Sequence, residues 1–197
     1  MYDYPLIFDL DRPPTMARAH VFLRILLLAL TSWVTGSSTQ FGLAYLVPPV
    51  VAAVFIAQEG GERYLSEDGP RVTAWLSFIV ALFAYLALLT DELPASGRRP
   101  IRFDVVRSAA PSVGSALFRI VKAIPSAFVL VAIGLVGWVV WVIAAISILV
   151  TEHYPERLWR FQRGVVRWQA RLLGYLASLF DQYPPYSLDT GPAPLSA

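Results

Sequence analysis

Apolar residues in this chain gather into long runs rather than alternating with polar ones. The longest is Ser126–Val150, 25 residues with no charge, no proline and only two polar side chains, Ser126 and Ser147. As a helix it reaches about 37 Å, against about 30 Å for a hydrocarbon core. A helix that is apolar all round needs either a large protein around it or a bilayer. Val72–Thr90 is a second run of 19 uncharged residues, and Phe41–Ala57 a third of 17, interrupted by Pro48-Pro49, which should kink it. Ala17–Thr35 reads as a helix, apolar from Val21 apart from Arg24, with a break over Gly36–Gln40. Leu6-Ile7-Phe8 fits a short strand between prolines. Gln58–Arg71 reads as a polar loop, Asp91–Ser112 as a proline-closed linker, and Val113–Ile124 as a short interfacial helix ended by Pro125.

The last helix, expected over Glu156–Phe180, is patterned differently. Arg157, Arg160, Arg163, Arg167 and Arg171 recur at three- and four-residue spacing, so they share one stripe. Trp159, Trp168 and Tyr175 flank the stripe, as aromatic residues do at headgroup level.

The order of these features repeats. Phe8-Asp9, Arg12 and Arg24-Ile25 match Phe103-Asp104, Arg107 and Arg119-Ile120 at a spacing of 95. Glu62, Tyr64, Tyr85-Leu86-Ala87, Leu89, Asp91 and Pro94 match Glu152, Tyr154, Tyr175-Leu176-Ala177, Leu179, Asp181 and Pro184 at a spacing of 90. One length change near Gly36–Gln40 reconciles the two spacings. The expected organisation is a tandem duplication, with a diverged first membrane repeat over 1-97, a second over 98-189, and a disordered tail over 190-197.

Composition agrees with a membrane class: 56% hydrophobic and 15% charged residues, against about 25% charged in a soluble domain. With 16 basic and 14 acidic residues there is no basic excess to argue for nucleic acid. Cysteine is absent, so thiolate chemistry and cysteine metal sites are excluded. The N-terminus resembles a secretory leader only superficially. Asp3, Asp9 and Asp11 make it acidic, and its counterpart in the second repeat is internal, so it is expected in the mature protein.

The expected fold is an all-α membrane protein of duplicated helical hairpin units, with about four transmembrane helices plus interfacial amphipathic helices. Two topologies fit. In one, each repeat spans twice, through Phe41–Ala57 and Val72–Thr90 and then Ser126–Val150 and the arginine-striped helix; the repeats are then parallel and both termini cytoplasmic. In the other, the apolar stretches dip in and return, which leaves nearly every arginine on the cytoplasmic side.

Tyr154-Pro155, Gly164-Val165-Val166-Arg167-Trp168, Tyr175 and Asp181-Gln182-Tyr183-Pro184-Pro185-Tyr186-Ser187-Leu188 together resemble a bacterial integral-membrane domain family of unknown function. That family occurs singly or in tandem, and its Arg-Trp helix ends in Asp-x-Tyr-Pro-Pro-aromatic. The resemblance runs well from Phe103 to Leu188 and weakly from Phe8 to Pro94, where Leu93 and Ala95 stand in place of Tyr and the second Pro. It implies a bacterial inner membrane location and no known activity, substrate or cofactor.

Two groups of residues are candidate sites. Asp9 with Arg12, Asp104 with Arg107, and the helix-ending Asp91 and Asp181 suggest a structural ion-pair clasp, Arg12 to Asp91 and Arg107 to Asp181. The stripe of Arg157, Arg160, Arg163, Arg167 and Arg171, with Trp168, is expected to bind anionic headgroups or an acidic partner. No metal spacing, phosphate loop or nucleophile motif is present, and His20 and His153 do not correspond between repeats. No enzyme and no cofactor are therefore expected. The leading expectation is a structural or accessory scaffold that packs with itself or a larger membrane complex. A small transporter or channel with an anion path between the repeats is the alternative, ahead of a lipid-acting enzyme.

Overall fold

The computed structural model describes residues 4–35, 37–94 and 101–188, with 31–35 and 37–44 by their backbone alone. The chain is mostly helical. Two short strands, β1 (Leu6–Asp9) and β2 (Arg102–Val105), accompany five helices: α1 (Arg18–Thr35), α2 (Ser37–Glu59), α3 (Gly61–Leu86), α4 (Val113–Thr151) and α5 (Glu156–Leu176). The tail beyond Leu188 lies outside the described residues, as does Gly36 within the expected break.

Several elements extend further than their local signals suggest. The expected polar loop over Gln58–Arg71 shrinks to Gly60, whose φ of 84° lets the chain turn without steric cost. Helix α3 then starts at once and passes through a π-helical turn over Tyr64–Asp68 before running regularly from Gly69. The short helix expected over Val113–Ile124 is not separate. Helix α4 continues through Pro125 for 39 residues, about 58 Å. Its start is fixed by a capping box, in which Ser112 and Ser115 exchange side-chain and backbone hydrogen bonds. Pro48 and Pro49 likewise lie inside α2.

β1 and β2 pair antiparallel, with Leu6 opposite Val105 and Phe8 opposite Phe103. Helices α3 and α4 run in the same direction. Gly61 packs on the Pro111 carbonyl just before α4, and Trp141 Nε1 donates to the Leu86 carbonyl at the far end of α3 (2.8 Å). Helix α5 returns antiparallel to both. At one of its ends Tyr64 Oη donates to the Ala177 carbonyl (2.6 Å), and at the other Trp159 Nε1 donates to the Leu89 carbonyl (3.3 Å).

The core sits around α5. From Gly164 to Phe180 every residue is buried except the half-buried Gln169. This overturns the expectation of about four membrane spans. Among the described residues two helices are long and apolar enough to cross a membrane, Gly61–Leu86 and Val113–Thr151. Helix α5 is too rich in arginine to be a third, and is covered by protein instead. Trp159 and Trp168, expected at headgroup level, are 4% and 2% exposed.

The two long helices are mostly uncovered: only 33% and 22% of their most apolar stretches is buried. Phe128, Val131, Leu135, Trp138 and Val150 on α4 are each at least 67% exposed, and α1 adds Phe22, Ile25 and Leu26. The polarity of the molecule is thus reversed. Arg24, Arg119, Arg167 and Arg171 lie inside, at 0%, 4%, 6% and 5% exposure, beneath an apolar exterior.

Candidate functional site

Two helix ends are built alike. After α3, Ala87 N–H bonds Phe83 O, Leu88 N–H bonds Tyr85 O and Leu89 N–H bonds Ala84 O; after α5, Ala177, Ser178 and Leu179 bond Leu173 O, Tyr175 O and Gly174 O. Leu88 and Ser178 both take positive φ, 63° and 57°. For side chains with a Cβ this conformation costs about 1–3 kcal/mol, and it turns the following carbonyls back toward the helix axis.

One arginine occupies each end. Arg24 Nε donates to Tyr85 O (2.7 Å), and its Nη2 donates to Thr90 O (2.5 Å) and Asp91 Oδ1 (3.0 Å). Arg119 Nη1 donates to Tyr175 O (2.8 Å) and Phe180 O (2.6 Å), while Nη2 pairs with Asp181. Each guanidinium also lies over a tyrosine ring, Arg24 at 4.3 Å from Tyr85 and Arg119 at 4.6 Å from Tyr175. A cation from another helix thereby gathers carbonyls at and just beyond a helix C-terminus and complements its dipole.

These are clasps, but with arginines other than those expected. Asp91 and Asp181 take Arg24 and Arg119, not Arg12 and Arg107. Arg12 instead donates to Tyr154 O (2.6 Å) and stands 3.9 Å from Glu156. Arg107 lies with its side chain against Gly69, at the π-helical turn. Asp104 accepts the N–H of Val105 (2.8 Å). Asp9 receives Arg163 at 3.4 Å and Arg167 at 3.8 Å. The remaining carboxylate oxygens of Asp91 and Asp181 accept backbone N–H groups, Ala17 at 2.7 Å and Ala110 at 3.3 Å, which ties the incoming chain to each helix end.

The arginine stripe divides along α5. Arg157 and Arg160 are exposed, and Arg163 is half-buried, over the Trp159 ring at 5.2 Å. Arg167 is buried and donates through Nε to Phe8 O (3.3 Å). Arg171 is buried over the Tyr4 ring at 4.7 Å, and burial, with the nearby Arg167 charge, lowers its pKa to about 10. The stripe therefore packs against β1 along its C-terminal half, because Asp9 and the β1 backbone supply acceptors there.

Trp168 meets the C-terminal segment. The Tyr186 ring stands edge-on to it, centroids 5.6 Å apart. Tyr183 Oη contacts Ser126 Oγ (2.5 Å) and donates to Lys122 O (3.1 Å). Leu188 lies so close to Gly164 that a Cβ there would come within 2.5 Å of the Leu188 carbonyl oxygen. The Asp-x-Tyr-Pro-Pro-Tyr segment is thus a strap joining α4 to α5.

An open cleft of about 420 Å³ lies at the N-terminus of α5, lined by Leu10, Asp11, Arg12, Glu156, Trp159, Arg160 and Arg163.

Residues 114–187, less than half of the chain, match the model of a family described as a domain of unknown function (DUF4389). No curated protein and no solved structure matches the chain.

Proposed function

We propose that this chain is a non-enzymatic integral membrane scaffold, built from two repeats, that packs with itself or with a larger membrane complex. The observation that carries the reading is the reversed polarity: buried arginines beneath an apolar exterior along α4 and α1. Exposed apolar surface on this scale disfavours water and favours acyl chains or partner helices. Ser126–Val150 is the part of α4 that crosses the hydrocarbon core, and the Arg119–Asp181 clasp and Lys122 lie beyond it at the polar boundary.

The matched helix ends, the matched arginine clasps and the strand ladder support a tandem duplication over 1-97 and 98-189. Phe8 pairs with Phe103, the position matched to it in the repeat, so a two-fold axis passes between them. Helices α3 and α5 correspond in the repeat, and they are antiparallel. The repeats are therefore inverted rather than parallel, with the axis in the membrane plane. Anionic headgroups meet the exposed start of the arginine stripe, Arg157 and Arg160, and not its buried end.

Single cysteines at Ser66 and Glu156 in this cysteine-free chain test the arrangement. These positions lie toward opposite ends of α5, so labelling from opposite sides of the membrane is expected. Labelling from one side alone would reject two-helix spanning and place α4 in the membrane plane. Purification in mild detergent tests the scaffold role, which a strictly monomeric, partner-free protein would contradict.

The buried Arg167 and Arg171 favour one second reading, an anion path between the repeats. Anion flux in liposomes that is abolished by Arg167→Gln with Arg171→Gln would put that reading ahead.

A further inference from the structure

We infer that the cleft at the start of α5 is a phosphate-binding site for the headgroup of an anionic phospholipid, regulated by the chain's own Glu156 carboxylate. The inference rests on the membrane reading above and gives its headgroup contact a specific place.

Three guanidinium groups line the cleft, those of Arg12, Arg160 and Arg163. They come from two parts of the chain far apart in sequence, the segment after β1 and the first two turns of α5. Arg12 is held by the Tyr154 carbonyl and Arg163 by Asp9, so both are positioned before any ligand arrives. Trp159 forms a flat wall, its indole N–H fixed on Leu89 O. Helix α5 begins here with no side-chain cap, so its first N–H groups face the same end.

An anion already stands between two of the arginines. The Glu156 carboxylate lies 3.9 Å from Arg12 and 3.5 Å from Arg160, and its side chain is 60% exposed. Contacts this long and this wet hold a carboxylate weakly. They mark the position that a tetrahedral phosphate, with more oxygens to place among three guanidiniums, would occupy better. The apolar exterior also ends close to the cleft in sequence. Val150, 68% exposed, ends the coat of α4 a few residues before Glu156. The acyl chains of a lipid bound there would run along α4 from that end. Asp11 and Glu156 keep the empty cleft close to neutral, which selects against simple accumulation of small anions.

The test is calorimetric titration of the full-length protein, in phosphate-free neutral detergent, with short-chain phosphatidylglycerol, short-chain phosphatidylcholine and inorganic phosphate. Saturable binding of the glycerol lipid is expected, with weaker binding of the zwitterionic lipid and of free phosphate. Free phosphate binding as tightly as the lipid would overturn the lipid assignment. Arg160→Gln should weaken lipid binding about tenfold. Glu156→Gln, which removes the competing carboxylate and leaves the arginines in place, should tighten it several-fold. Arg63→Gln, an equal change in net charge at the other end of the molecule, should change it less than about twofold. Unchanged or weaker binding by Glu156→Gln would overturn the carboxylate's role, and equal losses in Arg160→Gln and Arg63→Gln would reduce the site to diffuse attraction. Opposite-side labelling of Ser66 and Glu156 would stand in either case, so failure of the cleft is distinct from failure of the membrane reading.

Discussion

Arg24 and Arg119 make matching contacts, but their carboxylate partners differ in access to solvent. The Arg24 side chain is 0% exposed and its partner Asp91 23%, whereas Asp181, paired with Arg119, is 60% exposed. Removing a fully buried cation strands its acceptors, and Arg24→Met should lower stability by about 3–5 kcal/mol. Asp181→Asn should cost about 1 kcal/mol or less, because water replaces the lost partner. Thermal unfolding in detergent compares the two, and equal losses would contradict the assignment. Burial also raises the phenol pKa of Tyr4 and Tyr154 above its ordinary value. An unfolded chain ionises these groups near pH 10 while the folded chain keeps them protonated, so the folded state binds more protons there. Stability should be level below about pH 10 and fall as pH rises further. Stability that holds level across that range would show these phenols to be solvated.

At the scale of elements, glycines on α4 and α5 should respond in opposite directions. Gly164→Ala forces the strap at Leu188 to move, so Trp168 should lose its packing on Tyr186 and its fluorescence should shift. Nothing lies within 4 Å of a Cβ at Gly134, and Gly134→Ala should stabilise α4 by about 0.5–1 kcal/mol. Destabilisation by both would mean that α4 packs closely on a partner at Gly134. The centre of α4 and strand β1 are legible in the sequence because periodicity and length identify them directly. Helix α5 is legible as a helix, but its burial is not, since an arginine stripe with flanking tryptophans looks the same whether it faces headgroups or a strand with free carbonyls. The clasp arginines had a signal. Arg24 corresponds to Arg119 at the spacing that relates Asp9 to Asp104, but local charge pairing favoured Arg12 and Arg107. Pro125 and the 58–71 region misled for another reason: tertiary cover sustains a helix where local propensity would end it.

For the whole molecule, replacing Phe8 and Phe103 together tests whether the halves share an axis. Phe8→Ala with Phe103→Ala should destabilise the protein by less than the sum of the single changes, since the rings belong to directly paired positions and each single change already removes their shared contact. Strict additivity would argue that each ring packs only within its own half. The ladder also sets an order of events during synthesis. Leu6 pairs with Val105, so the first strand leaves the ribosome well before its partner exists, by about 5–20 s at ordinary elongation rates. Three helices emerge in that interval while the β1 edge stays open and the acceptors that will hold Arg167 stay empty. The N-terminal half therefore passes through a timed, unpaired state on every round of translation. A slow stretch of codons between Asp91 and Arg102 would lengthen that state without altering a single residue of the finished protein.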